Sequence, residues 1–451
     1  MKAATTQSSP SSTGTSVQKS TLRKISIRIT SYLTFIYLIA VVDRSNVGIA
    51  ALQMNHDLKL GAAAFGLGAG LFFLGYALLE VPSNLALHKV GARIWIGRIM
   101  ISWGIIASAL GFTQGVHSFH ILRFLLGAAE AGYFPGIVYF MTLWYPAGHR
   151  SKPYTIFMSF SVFAYICVGP LSTWLMTISN GLWGFPGWRW LFVLEGLPCV
   201  ILGIFTMFYL ADSPAKAKWL TSEEKDWLIG TLEGERKAEP PVEHHSVGKF
   251  LKDGKVWIMA GAYFWWNLGN LGVLFWMPTL LKAAHGTWSN QTIGYLYAVP
   301  YIFSFIGMYC LVYIARKTGR RGMVLILCSV IPFLALTVSA WSPPSSVLSF
   351  GMVCFAAFFY MAVLPVFWTI PAEMLGGKTA AGGIAFISST TGIGGLLGPW
   401  VIGLIKQATG KFEWAIEAMA IAFLLQGVFI VAMRIKRKLP GTHFVLGSSG
   451  N

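Results

Sequence analysis

The feature that most constrains this chain is a rhythm of long apolar runs. Twelve stretches lie between polar breaks, near 28–52, 65–87, 94–112, 119–143, 154–178, 188–210, 256–281, 292–315, 323–341, 347–372, 382–405 and 412–434. A bilayer span takes about 20 apolar residues, and a helix satisfies all backbone groups of a single span without help from water. The expected fold is all-α and integral to the membrane, with twelve transmembrane helices in two six-helix bundles. Only 11% of the 451 residues are charged, against about 25% in soluble domains.

The polar segments set the organisation. Residues 1–27 read as a disordered tail, rich in Ser, Thr and Gln, and no secretory signal is read ahead of the first span. A bundle over 28–210, a polar linker over 211–255, a second bundle over 256–434 and a tail over 435–451 follow. The linker is expected to carry a short surface helix at 221–233, capped by Thr221 and Glu224. With the N-terminus inside, cytoplasmic segments hold 27 Lys and Arg and outer loops hold 5, while Arg44 and Arg123 lie within helices. That bias puts both termini and the linker in the cytoplasm. It also accounts for the net charge of +17 without nucleic acid.

Other chemistries find no support in the residues. Cys167, Cys199, Cys310, Cys328 and Cys354 all fall in apolar segments at no metal spacing, as small core residues do. The stretch GLGAG at 66–70 lacks the strand and the Lys of a phosphate loop and suits close helix packing instead. His244 and His245 sit in the linker as a solvated tract, and no nucleophile elbow appears. The chain is read as no enzyme, with no cofactor or metal and no nucleic-acid partner. Its partners are the bilayer and a small organic anion, and its working unit is a monomer.

The apolar runs are interrupted by ionisable residues, which are costly in lipid and default to functional hypotheses. Asp43, Arg44, Glu80, Arg123, Glu130 and Glu195 all lie in the first bundle. A carboxyl removed from water holds a proton more readily, and a nearby Arg acts against this. Asp43 and Glu130, near the middles of their helices, are the candidate proton-coupling groups; a static ion pair is the alternative. Arg44 follows Asp43 about 100° around the helix, so the two face different neighbours. A guanidinium binds carboxylates bidentately, which makes Arg44 the candidate for a substrate carboxylate. A substrate held there is expected to loosen the cation's hold on Asp43 and favour its protonation.

Arg123 lies two turns before Glu130 and either steers anions or pairs with it. Tyr76 shares a face with Glu80 and either donates to substrate or packs. Glu80 reads as a brace or a third proton group, and Glu195 as structural. In the second bundle Asn267 and Asn270, three residues apart, either bond a neighbouring helix or line a cavity.

The two loops LHKVGAR (87–93) and ARKTGRR (315–321) share a basic residue, a Gly and a terminal Arg, so the halves read as a repeat. The segment PSNLALHKVGAR at 82–93 resembles the loop motif of the major facilitator superfamily. DRSNVGIAAL (43–52), FFLGYALLEVPSNL (72–85), RFLLGAAEAGYFPG (123–136), GWRWLFVLEGLP (187–198) and GPWVIGLIKQATG (398–410) resemble its anion:cation symporter family, in its bacterial branch of tartrate, phthalate and hydroxyphenylacetate permeases. The loop motif's acidic residue is absent, with His88 and Arg316 at the two aligned positions. Trp368 and Ser388 stand at positions that the resemblance assigns to the pocket. Ser161 stands where relatives often show Gln.

The resemblance and the charges together imply a secondary active transporter of a bacterial inner membrane. It is expected to take up a small organic carboxylate by proton-coupled symport: a tartrate-like diacid, a sugar acid or an aromatic acid. A proton-independent exchanger or uniporter is the alternative, and a transporter-like sensor a more distant one.

Overall fold

A computed structural model describes residues 12–238, 253–375 and 380–433, and among these every regular element is helical. In chain order the first half holds α1 (Ser12–Ile25), α2 (Ser31–Asp57), α3 (Ala62–Val90), α4 (Ala92–Leu110), α5 (Val116–Glu130), α6 (Tyr133–Thr142), α7 (Ser151–Ile178) and α8 (Gly187–Tyr209). The linker carries α9 (Ser222–Ala238). The second half holds α10 (Gly254–Ala284), α11 (Asn290–Thr318), α12 (Arg321–Trp341), α13 (Val347–Tyr360), α14 (Val363–Phe367), α15 (Pro371–Met374), α16 (Ala380–Thr409) and α17 (Glu413–Ala432). Eleven helical stretches among the described residues are long and apolar enough to cross a membrane. The seventh expected run forms one helix, α10, but is not among the eleven. Its centre reads YFWWNLGN, where indoles and amides replace aliphatic side chains.

Three expectations are corrected. The tail expected to be disordered over 1–27 is helical from Ser12: α1 runs through a π-helical turn, Ser26–Thr30, into α2. Thr21 and Ile25 are fully buried, and α1 lies against α9. Lys24 Nζ contacts a Glu224 carboxylate oxygen at 2.8 Å, and Ser20 Oγ donates to the other at 2.7 Å. The expected run at 119–143 is broken after Glu130, where Gly132 takes φ +83°. Pro135, three residues on, has no N–H for a continuing helix. The run at 347–372 is divided into α13, α14 and α15 by turns whose residues keep right-handed φ/ψ, with Pro365 within α14 and Pro371 opening α15. The linker helix is capped as expected: Thr221 N donates to Glu224 Oε2 (2.9 Å), and Glu224 N donates to Thr221 Oγ1 (3.3 Å). Residues 1–11, 239–252 and 434–451, which include the expected second tail and the His pair, lie outside the described residues.

Within the first half, α4 packs on α8 and α3 on α5; within the second, α12 and α10 pack on α17. The halves meet along α3–α16, α7–α11 and α2–α10. Glycines make these seams tight. A Cβ added at Gly66 would lie 2.3 Å from Pro399 O, one at Gly70 2.3 Å from Leu396 O, and one at Gly169 2.3 Å from Gly294 O. These contacts gather toward the end bearing the turns at 58–61, 179–186, 285–289 and 410–412, hereafter the distal end. On the α3–α16 seam they run from Ala62 opposite Gly403 down to Ala77 opposite Gly392. The opposite end carries the linker, and there each half uses the last Arg of its repeated loop. Arg93 pairs with Asp212 (3.4 Å), and Arg321 with Glu373 (2.6 Å).

Candidate functional site

The site is built on the middle of α2. Adjacent residues of a helix diverge by about 100°, and here the divergence sends Asp43 and Arg44 to different neighbours. Asp43 is buried toward α4, where Trp103 Nε1 donates to its Oδ2 at 2.9 Å; its Oδ1 has no partner among the described residues. Arg44 turns to the end of α5, where its Nη2 donates to Glu130 Oε1 in an ion pair. Arg44 thus pairs directly with Glu130, while Asp43 bonds Trp103.

The local structure explains the strength of that pairing. Glu130 is the last residue of α5, at the negative end of the helix dipole. Its side chain is 2% exposed, so the Arg44 cation is its main compensation. Arg44 is different: its side chain is 20% exposed, and its Nε–H has no acceptor among the described residues. Its guanidinium lies 5.2 Å from the Phe72 ring centroid and 5.6 Å from that of Tyr76. These aromatic faces favour the cation.

Arg123 is fully buried and does not form the ion pair with Glu130 that its spacing permits. Its Nε and Nη2 donate to the carbonyls of Gly68 and Ala69, both at 3.3 Å, and it lies 5.1 Å from the other contact of Arg44, the Phe72 ring. Glu195 is also buried, with both oxygens engaged: Asn46 Nδ2 donates to Oε2 (2.7 Å) and Ser172 Oγ to Oε1 (2.8 Å). Glu80 is half-buried on α3, one turn beyond Tyr76.

The second half brings neutral groups. Asn267 Nδ2 donates to Thr391 O on α16 at 2.9 Å, while Asn270 is buried with Oδ1 unpartnered among the described residues. Trp368 meets Tyr263 edge-on, with centroids 5.0 Å apart. Ser388 is exposed on α16. Ser161 donates to Met158 O of its own helix at 2.6 Å.

Tyr37 is buried among the rings of Tyr133, Phe134 and Phe157 of the first half. Tyr165 stacks on Tyr301 of α11, centroids 5.3 Å apart. Sequence reasoning missed Tyr37, Phe72 and Trp103. The signals for the first two were there: Tyr37 lies seven residues before Arg44, and Phe72 four before Tyr76, each on the same helix face. Trp103 sits in a plain apolar run and gives no such sign. The arrangement leaves Arg44 partly exposed beside Glu130, where an anionic group can compete for the cation. It places buried carboxyls on one side of that cation and amides and aromatic rings in the facing half.

A protein of Agrobacterium vitis named "Putative tartrate transporter" is 40% identical over 419 residues, covering 91% of each chain. The "Quinolone resistance transporter" of Acinetobacter baumannii is 40% identical, over 94% of this chain and 98% of that one. The "Inner membrane transport protein RhmT" of Escherichia coli (strain K12) is 32% identical, over 95% and 98%. Among solved structures, a bacterial homolog of the human lysosomal transporter Spinster, inward-facing and occupied, superposes with TM-score 0.70 at 17% identity, covering 90% of this chain and 96% of that one. A D-xylose–proton symporter gives 0.68 at 15% identity, over 90% and 97%. These relatives are transporters, not enzymes, and are consistent with permeases of the anion:cation symporter type. The Major Facilitator Superfamily profile matches residues 33–399, and the chain belongs to that superfamily as a multi-pass membrane transporter.

Proposed function

We propose that this transporter takes up a small organic carboxylate together with protons, by alternating access between two six-helix bundles. The observation that carries the reading is the Arg44–Glu130 pair, in which the cation is partly open and the carboxylate is not. A substrate carboxylate on Arg44 competes with Glu130. The displaced Glu130, buried at a helix end, is then stabilised by taking a proton. Anion and proton binding are thereby linked, each favouring the other. Asp43 provides a second proton site, and Asn267, Asn270, Tyr263 and Trp368 read the rest of the substrate.

In this reading α10 is the seventh of twelve spans, the protein works as a monomer in a bacterial inner membrane, and no cofactor is needed beyond the coupling proton. The 27-to-5 distribution of Lys and Arg supports cytoplasmic termini. The tight distal seams are then extracellular, and the structure is closed to the outside. The A. vitis relative's name supports a tartrate-like substrate, with sugar and aromatic acids as the other members of the class. The A. baumannii relative, equally identical, supports a second reading, in which an amphiphilic acid leaves the cell in exchange for protons.

The test is uptake by the purified protein in proteoliposomes, screened over tartrate, sugar acids and aromatic acids. An inwardly directed proton gradient, with excess protons outside, is expected to drive accumulation of at least one of them. Equal uptake with and without the gradient returns the protein to the exchanger or uniporter class, and export against substrate supports the second reading.

A further inference from the structure

The first half contains a second polar system that the Arg44 site does not use. At 100° per residue, Asn46, Gln53 and Asp57 fall within about 80° of Asp43 on α2. This stripe faces α8 and is bonded to it at every polar position beyond Asp43. Asp57, exposed at the distal end, accepts from Trp188 Nε1 at 2.7 Å. Gln53 Oε1 accepts from Trp188 N at 3.1 Å. Asn46, about one turn from Asp43 on α2, donates to Glu195 at 2.7 Å. Between Gln53 and Asn46 the face carries the apolar side chains of Val47 and Ala50, over about 10 Å of helix.

We propose that Glu195 is a proton-binding group on the distal side of Asp43, and that this α2–α8 stripe is the route by which protons from that side reach the Arg44–Glu130 pair. The inference deepens the symport reading and rests on it for its role in transport. Four geometric facts support it. Glu195 is 6% exposed. No Lys, Arg or His contacts it among the described residues. Its neighbours from α2 and α7, Asn46 and Ser172, donate to both oxygens. Its neighbour Asp43 is another carboxyl with one oxygen unpartnered.

Two buried carboxyls without a contacting cation are not both ionised at low cost. The charged and titratable groups that share this interior are Asp43 on α2, Arg123 and Glu130 on α5, Tyr133 on α6 and Cys199 on α8; α4 contributes the neutral Trp103 donor. A glutamine would fill the same space as Glu195. What the carboxyl adds is a removable proton. A proton from distal water neutralises Glu195, passes to Asp43 and reaches Glu130 when substrate takes Arg44.

The test does not need the substrate. Infrared difference spectra of the full-length protein in lipid, titrated from about pH 5 to about pH 9, report the C=O stretch of buried protonated carboxyls. The Glu195→Gln variant is expected to lose one titrating component, and Glu195→Asp to restore one. Ser172→Ala, a milder change on another helix, removes a donor to the charged form and is expected to move that component's midpoint up by about one pH unit. A Glu195→Gln spectrum identical to wild type, or an unmoved Ser172→Ala midpoint, overturns the assignment. Replacement of the band by added sodium at fixed pH also overturns it, in favour of a metal-cation site. Loss of the band in a protein that shows no gradient-driven uptake would leave Glu195 a proton site and remove the symport reading alone.

Discussion

The two halves share a scaffold and differ in chemistry. Each breaks a central helix beside a proline, at Glu130 in the first half and after Tyr360 in the second. Each ties its repeated loop with a terminal arginine, Arg93 to Asp212 and Arg321 to Glu373. In the interior they diverge. The first half holds two cations, Arg44 and Arg123, and three carboxyls, Asp43, Glu130 and Glu195. The second holds neutral groups instead, among them Asn267, Asn270, Tyr263 and Trp368. In the proposed cycle a substrate anion adds negative charge to this set, and a proton balances it. A bilayer interior penalises net charge, so concentrating the ionisable groups in one half lets them compensate each other; on the proposed reading the other half is then left to contact substrate.

The comparison is broken most severely at Arg44. Arg44→Ala leaves Glu130 buried without a cation, and breaking one side of a buried pair costs about 3–5 kcal/mol, roughly a hundredfold or more in binding. Uptake is expected to vanish and the unfolding temperature to fall. The double change Arg44→Ala with Glu130→Gln is expected to restore the unfolding temperature without restoring uptake. Recovery of uptake in the double variant would mean that Arg44 serves only to hold Glu130.

Asp43→Asn keeps the size and the bond from Trp103 while removing the ionisable proton. Accumulation is expected to fall to the level seen without a gradient, while exchange of labelled for unlabelled substrate persists. Retained accumulation takes Asp43 out of proton coupling and weakens the division between the halves.

A smaller effect tests the division from the other side. Asn267→Ala removes a neutral hydrogen bond worth about 0.5–1.5 kcal/mol. If the second half only reads substrate, the change raises KM by about two- to tenfold and leaves the external-pH profile of uptake where it was. A moved profile would show that proton coupling is spread over both halves.

The sequence made the charged half legible because ionisable residues in apolar runs stand out one by one. Asp43, Arg44, Glu130 and Glu195 needed no structure to be noticed, and the runs themselves marked the helices. Pairing was harder, because it depends on which helix lies beside each face. A 100° step separates Asp43 from Arg44, but nothing in that step says that α5 ends against the arginine and α4 lies against the aspartate. The breaks at Gly132 and after Tyr360 were obscured for another reason. Proline is common in these helices, including Pro170 and Pro278 inside unbroken ones, so Pro135 and Pro365 carried no distinctive mark. Ser20 and Lys24 looked like tail because the surface of α9 that holds them is distant in sequence.

That contact gives the smallest expected effect. Glu224 is buried, which alone would raise its proton affinity, but the bonds from Lys24, Ser20 and Thr221 N–H outweigh burial and hold its pKa below the ordinary glutamate value. A depressed carboxyl pKa contributes stability that is fully present above the ordinary value and is lost as pH falls through the depressed one. Docking of α1 on α9 is therefore expected to hold at neutral pH and to loosen only in acid below the usual glutamate range. Lys24 is 39% exposed, so the ion pair adds at most about 1 kcal/mol. In Glu224→Gln, hydrogen exchange at 12–25 is expected to quicken modestly at neutral pH and to lose its acid dependence. The described contacts of α1 and α9 lie within the first half and the linker, so the latch travels with that half and uptake is expected to stay unchanged. A several-fold change in uptake would place α1 and α9 in the path of the rocking motion and make the linker, rather than the two interiors, the second point of difference between the halves.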